Sequence, residues 1–134
     1  DMSPVPGAAD ALAALAAHAQ IVILTNMPEA HRDDRLAALE RHNMSYPVVA
    51  NDGAKGAAAA ALSDRAGNPV FFLDDLPPNI SSVRRGVPHA TIIHFIGDMR
   101  LAKLLGPAPD CDHRIDDWVE AQRVIEETIA GARG

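Results

Sequence analysis

Short apolar runs and helical periods alternate along the chain. The runs at residues 21–24 (Ile-Val-Ile-Leu), 46–50, 70–73 (Val-Phe-Phe-Leu) and 90–96 lack the in-out alternation of a strand with one wet face. Runs of that length and composition predict strands buried on both sides. Between them the apolar spacing changes to the i, i+4, i+7 period of amphipathic helices. After the turn Pro4-Val5-Pro6-Gly7, an alanine-rich helix puts Ala8, Leu12 and Leu15 on one face. After Met27-Pro28 a charged helix with Leu36 and Leu39 inward runs to about Asn43. The turn Asn51-Asp52-Gly53 leads to a helix over 55–66, stopped by Gly67-Asn68-Pro69. A short helix over 78–85 ends at Gly86, and 97–105 forms a turn or short helix before Gly106-Pro107. A short strand over 113–115 precedes a last helix from Asp116, with Trp118, Val119, Val124, Ile125 and Ile129 apolar and Glu120, Arg123, Glu126 and Glu127 facing water. Strands alternating with helices predict an α/β domain: a mostly parallel, Rossmann-like sheet in a three-layer α/β/α sandwich.

Two of the runs end in polar groups. Residues 70–79 read Val-Phe-Phe-Leu-Asp-Asp-Leu-Pro-Pro-Asn, so a buried strand delivers Asp74 and Asp75 to the carboxyl edge of the sheet, and the run at 21–24 passes into Thr25-Asn26. Carboxyl edges of open parallel sheets are where ligands bind, and carboxylates there hold a divalent cation or move protons. The plainer alternative is that Asp74 and Asp75 cap the following helix.

Composition narrows the classes. A chain of 134 residues, 48% of them hydrophobic, fits one domain with a sizeable core. No run approaches the ~18 apolar residues of a membrane span, and the first residues lack the basic and apolar regions of a signal peptide. The lone Cys111 forms no internal disulfide and agrees with a reducing, cytoplasmic setting. The net charge is −6 and the basic residues cluster only at Arg84-Arg85, which argues against a nucleic-acid partner. His18, His31, His42, His89, His94 and His113 lack the paired spacing of a zinc site and read as surface or core residues.

The order of four features resembles the core of the haloacid-dehalogenase-like (HAD) superfamily, most of whose members are magnesium-dependent phosphohydrolases. Pro6-Gly7-Ala8 before a helix with Leu12 and Leu15 resembles the start of the family's first post-nucleophile helix. Ile23-Leu24-Thr25-Asn26 resembles its second motif, Lys55-Gly56 its third, and Phe72-Leu73-Asp74-Asp75 with Asn79 its fourth. The resemblance implies that Thr25 and Asn26 cradle phosphate, with the Thr25 hydroxyl and the following backbone N–H groups as donors. It implies that Lys55 neutralises the phosphoryl oxygens and the attacking carboxylate. It makes Asp75 the magnesium ligand, with Asp74 beside it and Asn79 as a partner reached directly or through water.

One departure weighs against the match. The family's chemistry starts from an Asp-x-Asp at the end of a first strand, the leading Asp attacking phosphorus and the second acting as general acid and base. No strand in this sequence ends that way. Asp110-Cys111-Asp112 has the spacing but follows the loop Gly106-Pro107-Ala108-Pro109. The sequence also begins with Asp1 where the family's post-nucleophile helix begins, so the expectation is an N-terminally truncated core, residues 1–134, whose first strand is missing. In the family that strand lies between the ones ending at Thr25 and Asp75; without it those two pair directly, leave a gap or borrow a strand.

The expected function is that of a HAD-like phosphohydrolase acting with Mg2+ on a small phosphorylated metabolite through an aspartyl-phosphate, this chain alone being inactive. A non-catalytic HAD-like binding or regulatory domain is the rival. A receiver-like phosphoacceptor domain fits worse, because it needs the acid pair early and the lysine late. The sequence leaves substrate identity and oligomeric state open.

Overall fold

The computed structural model describes residues 7–26, 32–41, 46–51, 54–67 and 69–133. The predicted turns at Pro4-Val5-Pro6, Met27-Pro28 and Asp52-Gly53, the helix end at Asn43, and Asn68 lie outside those residues, as do Asp1, His31 and His42 and the side chain of Leu39. Helices and strands alternate as expected: α1 (Ala8–Ala16), β1 (Ile23–Asn26), α2 (Arg32–Arg41), β2 (Val48–Asn51), α3 (Gly56–Ala66), β3 (Phe71–Asp74), α4 (Pro77–Gly86), β4 (Thr91–Phe95), α5 (Met99–Leu104), β5 (His113–Ile115) and α6 (Trp118–Arg133).

Among the described residues all strand pairs are parallel, but they form two small sheets where the sequence predicted one. β1 pairs with β2 in one sheet, and β3, β4 and β5 lie in that order in the other. Of the arrangements open to the strands that end near Thr25 and Asp75, direct pairing is absent among the described residues. Hydrophobic periodicity reports how deeply a strand is buried, whereas lateral pairing is settled by which backbones meet.

Alternation along β3 and β4 sends side chains to both faces of their sheet. On one face Ile93 and Phe95 of β4 and Ile115 of β5 pack with Leu15 of α1 and with Ala121, Ile125 and Ile129 of α6, joined by Phe71 and Leu73. On the other face Ile92 packs with Ile80 and Val83 of α4, Val87, Ala90 and Ala108, with Phe72, Ala59 and Ala60 against them. Ile21, just before β1, joins the first cluster and ties the two-stranded sheet to the larger one. β1, β2 and β3 end one or two residues later than the apolar runs suggest, so Asn26, Asn51 and Asp74 are their last residues. Ladder hydrogen bonds do not stop where hydrophobicity does. Val119 departs from expectation: it is 79% exposed, and the inward stripe of α6 runs through Ala121 together with the expected Ile125 and Ile129.

α3 and α4 meet backbone to backbone. A Cβ built on Gly56 comes within 2.3 Å of the Ser82 carbonyl oxygen, and one on Gly86 within 2.5 Å of the Gly56 carbonyl oxygen. Only glycine fits at either position without moving a helix. Gly56→Ala is therefore expected to lower the unfolding free energy by about 1–3 kcal/mol through overpacking. The control Gly131→Ala, in a part of α6 where nothing lies within 4 Å of a new Cβ, is expected to raise it by up to about 1 kcal/mol. Urea denaturation of both variants measures the difference, and equal effects at the two sites would contradict the close approach.

Candidate functional site

Asp74 ends β3 and is the centre of the site. Its side chain is 4% exposed, and both oxygens are engaged. Oδ2 forms an ion pair with Lys55 Nζ at 2.8 Å. Oδ1 accepts the Leu76 backbone N–H at 2.8 Å, and the Asn79 amide donates to both oxygens at 3.3 Å. Asn79 reaches them because Pro77 and Pro78, at the first positions of α4, start that helix just after the strand. Asp74 thus steadies the approach to α4 through Leu76, but it does not cap the helix as the plainer alternative supposed, since no side chain bonds the first-turn N–H groups of α4.

Lys55 stands at the N-terminal end of α3, where the helix dipole disfavours a cation. No side chain caps that end; Ser82 Oγ of α4 instead accepts the Gly56 N–H at 2.9 Å. The Gly56–Gly86 contact and this bond fix the head of α3 against α4, and Lys55, 12% exposed, then spans to Asp74. The ends of β2 and β3 come together through this pair, since Lys55 follows β2 by four residues.

Asp75 sits at the surface beside the pair. Partial burial, then repulsion from Asp74 and a hydrogen bond shared with it, hold the Asp75 carboxyl above its ordinary 3.8, while its own backbone N–H and Lys55 pull the other way. Lys55, Asp74, Asp75 and Asn79, singled out in the sequence, lie in one place, joined by bonds that the sequence reading did not name. Lys55 is bonded to Asp74, and Asn79 serves Asp74 as a donor. Thr25 and Asn26 close β1 with their backbones in register with Ala50 and Asn51. Their side chains lie outside the described residues.

Among the described residues no group of three or more His, Cys, Asp or Glu side chains is arranged to hold a metal. The donor set explains this. Asp74 already has a lysine ammonium and an amide N–H on its oxygens, which leaves Asp75 as the exposed carboxylate, and one carboxylate makes a poor octahedral magnesium shell. These residues do not suffice for magnesium on their own.

The acids at 110 and 112 fasten a loop. Asp110 accepts from Ser81 Oγ at 2.7 Å, and Asp112 accepts from the Ile92 N–H at 2.7 Å and from Arg84 at 2.6 Å. Arg84 also donates to the carbonyls of Pro88, Ala90 and Asp110. A polar concavity of about 600 Å3 lies away from Lys55, between β5 and α6, and its Arg123 pairs with Glu120 and Glu127 on its own helix. Asp110, Asp112, Arg84 and Arg123 are thus paired within the protein. His94 belongs to the site and was not singled out in the sequence: it is 1% exposed, stands opposite Asp74 in the β3–β4 register, and contacts the Asp75 carbonyl. A histidine inside an apolar strand run reads as core, and only its being the one polar residue among Ile92, Ile93, Phe95 and Ile96 hints at more.

Compared with protein-family models, with curated proteins and with solved structures, the chain matches none.

Two predictions follow from the electrostatics. Lys55→Met strands a buried carboxylate and is expected to cost about 3 kcal/mol of stability, a loss that Lys55→Met combined with Asp74→Asn recovers in part; a double-mutant cycle by urea denaturation measures the coupling. Asp112 behaves oppositely to Asp75. Burial alone would raise the Asp112 carboxyl, but the Ile92 N–H and the Arg84 guanidinium outweigh it and hold it below 3.8. A lowered carboxyl stabilises the fold above its ordinary value and loses that contribution as pH falls through the folded value. A raised one costs stability as pH climbs past the ordinary value. At pH 7 Asp112→Asn should therefore lower the urea midpoint and Asp75→Asn should raise it, both effects fading in acid; midpoints moving in the same direction would refute the assignment.

Proposed function

We propose that this chain is the core of a HAD-like, magnesium-dependent phosphohydrolase that in its intact form releases phosphate from a small phosphorylated metabolite in the cytoplasm. The observation that carries the proposal is the Lys55–Asp74 ion pair at 2.8 Å, beside Asp75 and Asn79 at the carboxyl end of a parallel strand. In this reading the intact domain is a three-layer α/β/α sandwich, and a strand bearing the nucleophilic Asp-x-Asp lies between β1 and β3. The leading aspartate attacks phosphorus, an acyl-phosphate bond forms as the ester oxygen leaves with a proton from the second aspartate, and water then cleaves the acyl phosphate and restores the carboxylate.

The residues of this chain assist that exchange. Lys55 offsets negative charge on the transferring group, and the end of β1 at Thr25 and Asn26 offers backbone N–H groups to its oxygens. Asp75 is the residue offered to magnesium; Asp74 holds Lys55 in place, with Asn79 holding Asp74. No helix among the described residues is long and apolar enough to cross a membrane.

A generic aryl phosphate supplied with magnesium tests the reading. The 134-residue chain is expected to show no turnover and only weak magnesium binding, because in this reading the nucleophile and further metal ligands belong to an Asp-x-Asp strand that its sequence does not contain. Joined to a strand ending in Asp-x-Asp it is expected to hydrolyse the ester, and Lys55→Met or Asp75→Ala should reduce kcat by a factor on the order of 10² or more. Turnover by the 134-residue chain, lost in Asp75→Ala, would overturn the placement of the nucleophile. Silence of the extended protein on a broad phosphoester panel would favour a non-catalytic binding domain, a rival supported by the engagement of both Asp74 oxygens within the protein.

A further inference from the structure

His94 is buried in β4, and its two ring nitrogens have unlike partners. Nδ1 lies 2.9 Å from the backbone nitrogen of Ala108, a group that can only donate. Nε2 lies 3.1 Å from the carbonyl oxygen of Asp75, a group that can only accept. Those partners decide the tautomer without any hydrogen being seen: Nδ1 is bare and Nε2 carries the proton.

The Asp75 carbonyl and the Leu76 N–H belong to one peptide unit. His94 Nε2–H holds its oxygen, and Asp74 Oδ1 accepts its N–H at 2.8 Å. That plane is pinned on both sides by buried groups. Its orientation fixes the direction in which the Asp75 side chain leaves the backbone and the position of Leu76, whose carbonyl accepts the first turn of α4 from Asn79 and Ile80. On its other side the imidazole anchors Ala108, in the segment between α5 and β5 that Ser81 and Arg84 also hold through Asp110.

We propose that His94 is a positioning residue: as a neutral Nε2–H imidazole it locks the Asp75–Leu76 peptide plane, and with it the Asp75 carboxylate and the bonding of Asp74, in the orientation the site uses. The geometric part stands by itself, and its value for cation or phosphate handling rests on the function proposed above.

Two substitutions separate the halves of the imidazole. In His94→Asn the side-chain oxygen takes the place of Nδ1 and can still accept from Ala108, but nothing reaches the Asp75 carbonyl. In His94→Gln the amide nitrogen takes the place of Nε2 and can still donate to Asp75, while Ala108 loses its acceptor. Long-range proton–nitrogen NMR of the unaltered chain is expected to show Nε2 protonated and Nδ1 bare at neutral pH, and the opposite tautomer would overturn the proposal without any variant. Amide exchange is expected to quicken about tenfold at Leu76 in His94→Asn and at Ala108 in His94→Gln, each leaving the other amide near its original rate. A histidine that merely fills the core would instead speed both amides alike in both variants, and that outcome refutes the positioning role. Manganese titration, followed by paramagnetic broadening of the Asp75 amide, links this to function: affinity should fall in His94→Asn and be kept in His94→Gln. Absence of broadening in the unaltered chain would count against the metal-dependent function while leaving the tautomer and exchange results to judge His94.

Discussion

The contact of α3 with α4 at Gly56 and Gly86 is the constraint on which the site depends. Two helices whose backbones touch have one way to lie against each other, because side chains cannot slide past to another spacing. The Ser82 hydroxyl uses this nearness to take the Gly56 N–H, a donor that the head of a helix otherwise leaves without an intrahelical partner. The residue before Gly56 is Lys55, so the crossing point of the two helices also determines where a cation stands. From there the lysine reaches across to the end of β3.

A lysine at that end of a helix contradicts local preference, and a buried aspartate at a strand end does so as well. Each is tolerated because the other is there. The pair is not a stabilising device in itself, since two charges taken out of water regain through mutual attraction roughly what desolvation costs. Conflicts of this kind between local rules and the fold concentrate at functional sites. Asp75 adds to it: a second carboxyl is kept beside the first, shielded enough that burial and repulsion push its proton affinity up. Arg84 and Asp112 show the contrasting, purely structural use of charge, with the guanidinium spread over three carbonyls and a carboxylate to pin one loop.

Much of the fold was legible because burial leaves a pattern. The unbroken apolar runs became β1, β2, β3 and β4, and the glycine and proline stops bounded α3, α4 and α5. The helix face at Ala8 and Leu15 packs as its spacing implied. Pairing was not legible. That Lys55 would bond Asp74 and not Asp75 follows from the alternation of β3, which turns Asp74 inward, and from a helix crossing that joins residues 26 apart in sequence. Val119 was misread because apolar side chains on helices are common at the surface, so hydrophobicity alone did not mark the inward stripe. The role of His94 was hidden for the same reason as the pairing: its partners, Asp75 and Ala108, are 19 and 14 residues away.

The division into two sheets has a mechanical consequence. Asp74, Asp75, His94, Lys55 and Asn79 belong to a unit made of β3, β4, α3 and α4, whose members are joined by a ladder, a backbone crossing and buried polar bonds. The end of β1 with Thr25 and Asn26 belongs to another ladder, tied to the first through Ile21 in the apolar cluster and through the chain from β2 to Lys55. Apolar contacts are non-directional, so they hold two sheets together without dictating their register. A strand paired to β1 on one side and β3 on the other would supply that register, because ladder bonds specify neighbours residue by residue. In the proposed function the strand that brings the reacting aspartate is thus also the one that aligns the phosphate cradle at β1 with the acidic turn after β3. Chemistry and alignment would arrive together, and the carboxylate unit, already rigid, would be the fixed half of the site to which the other is brought.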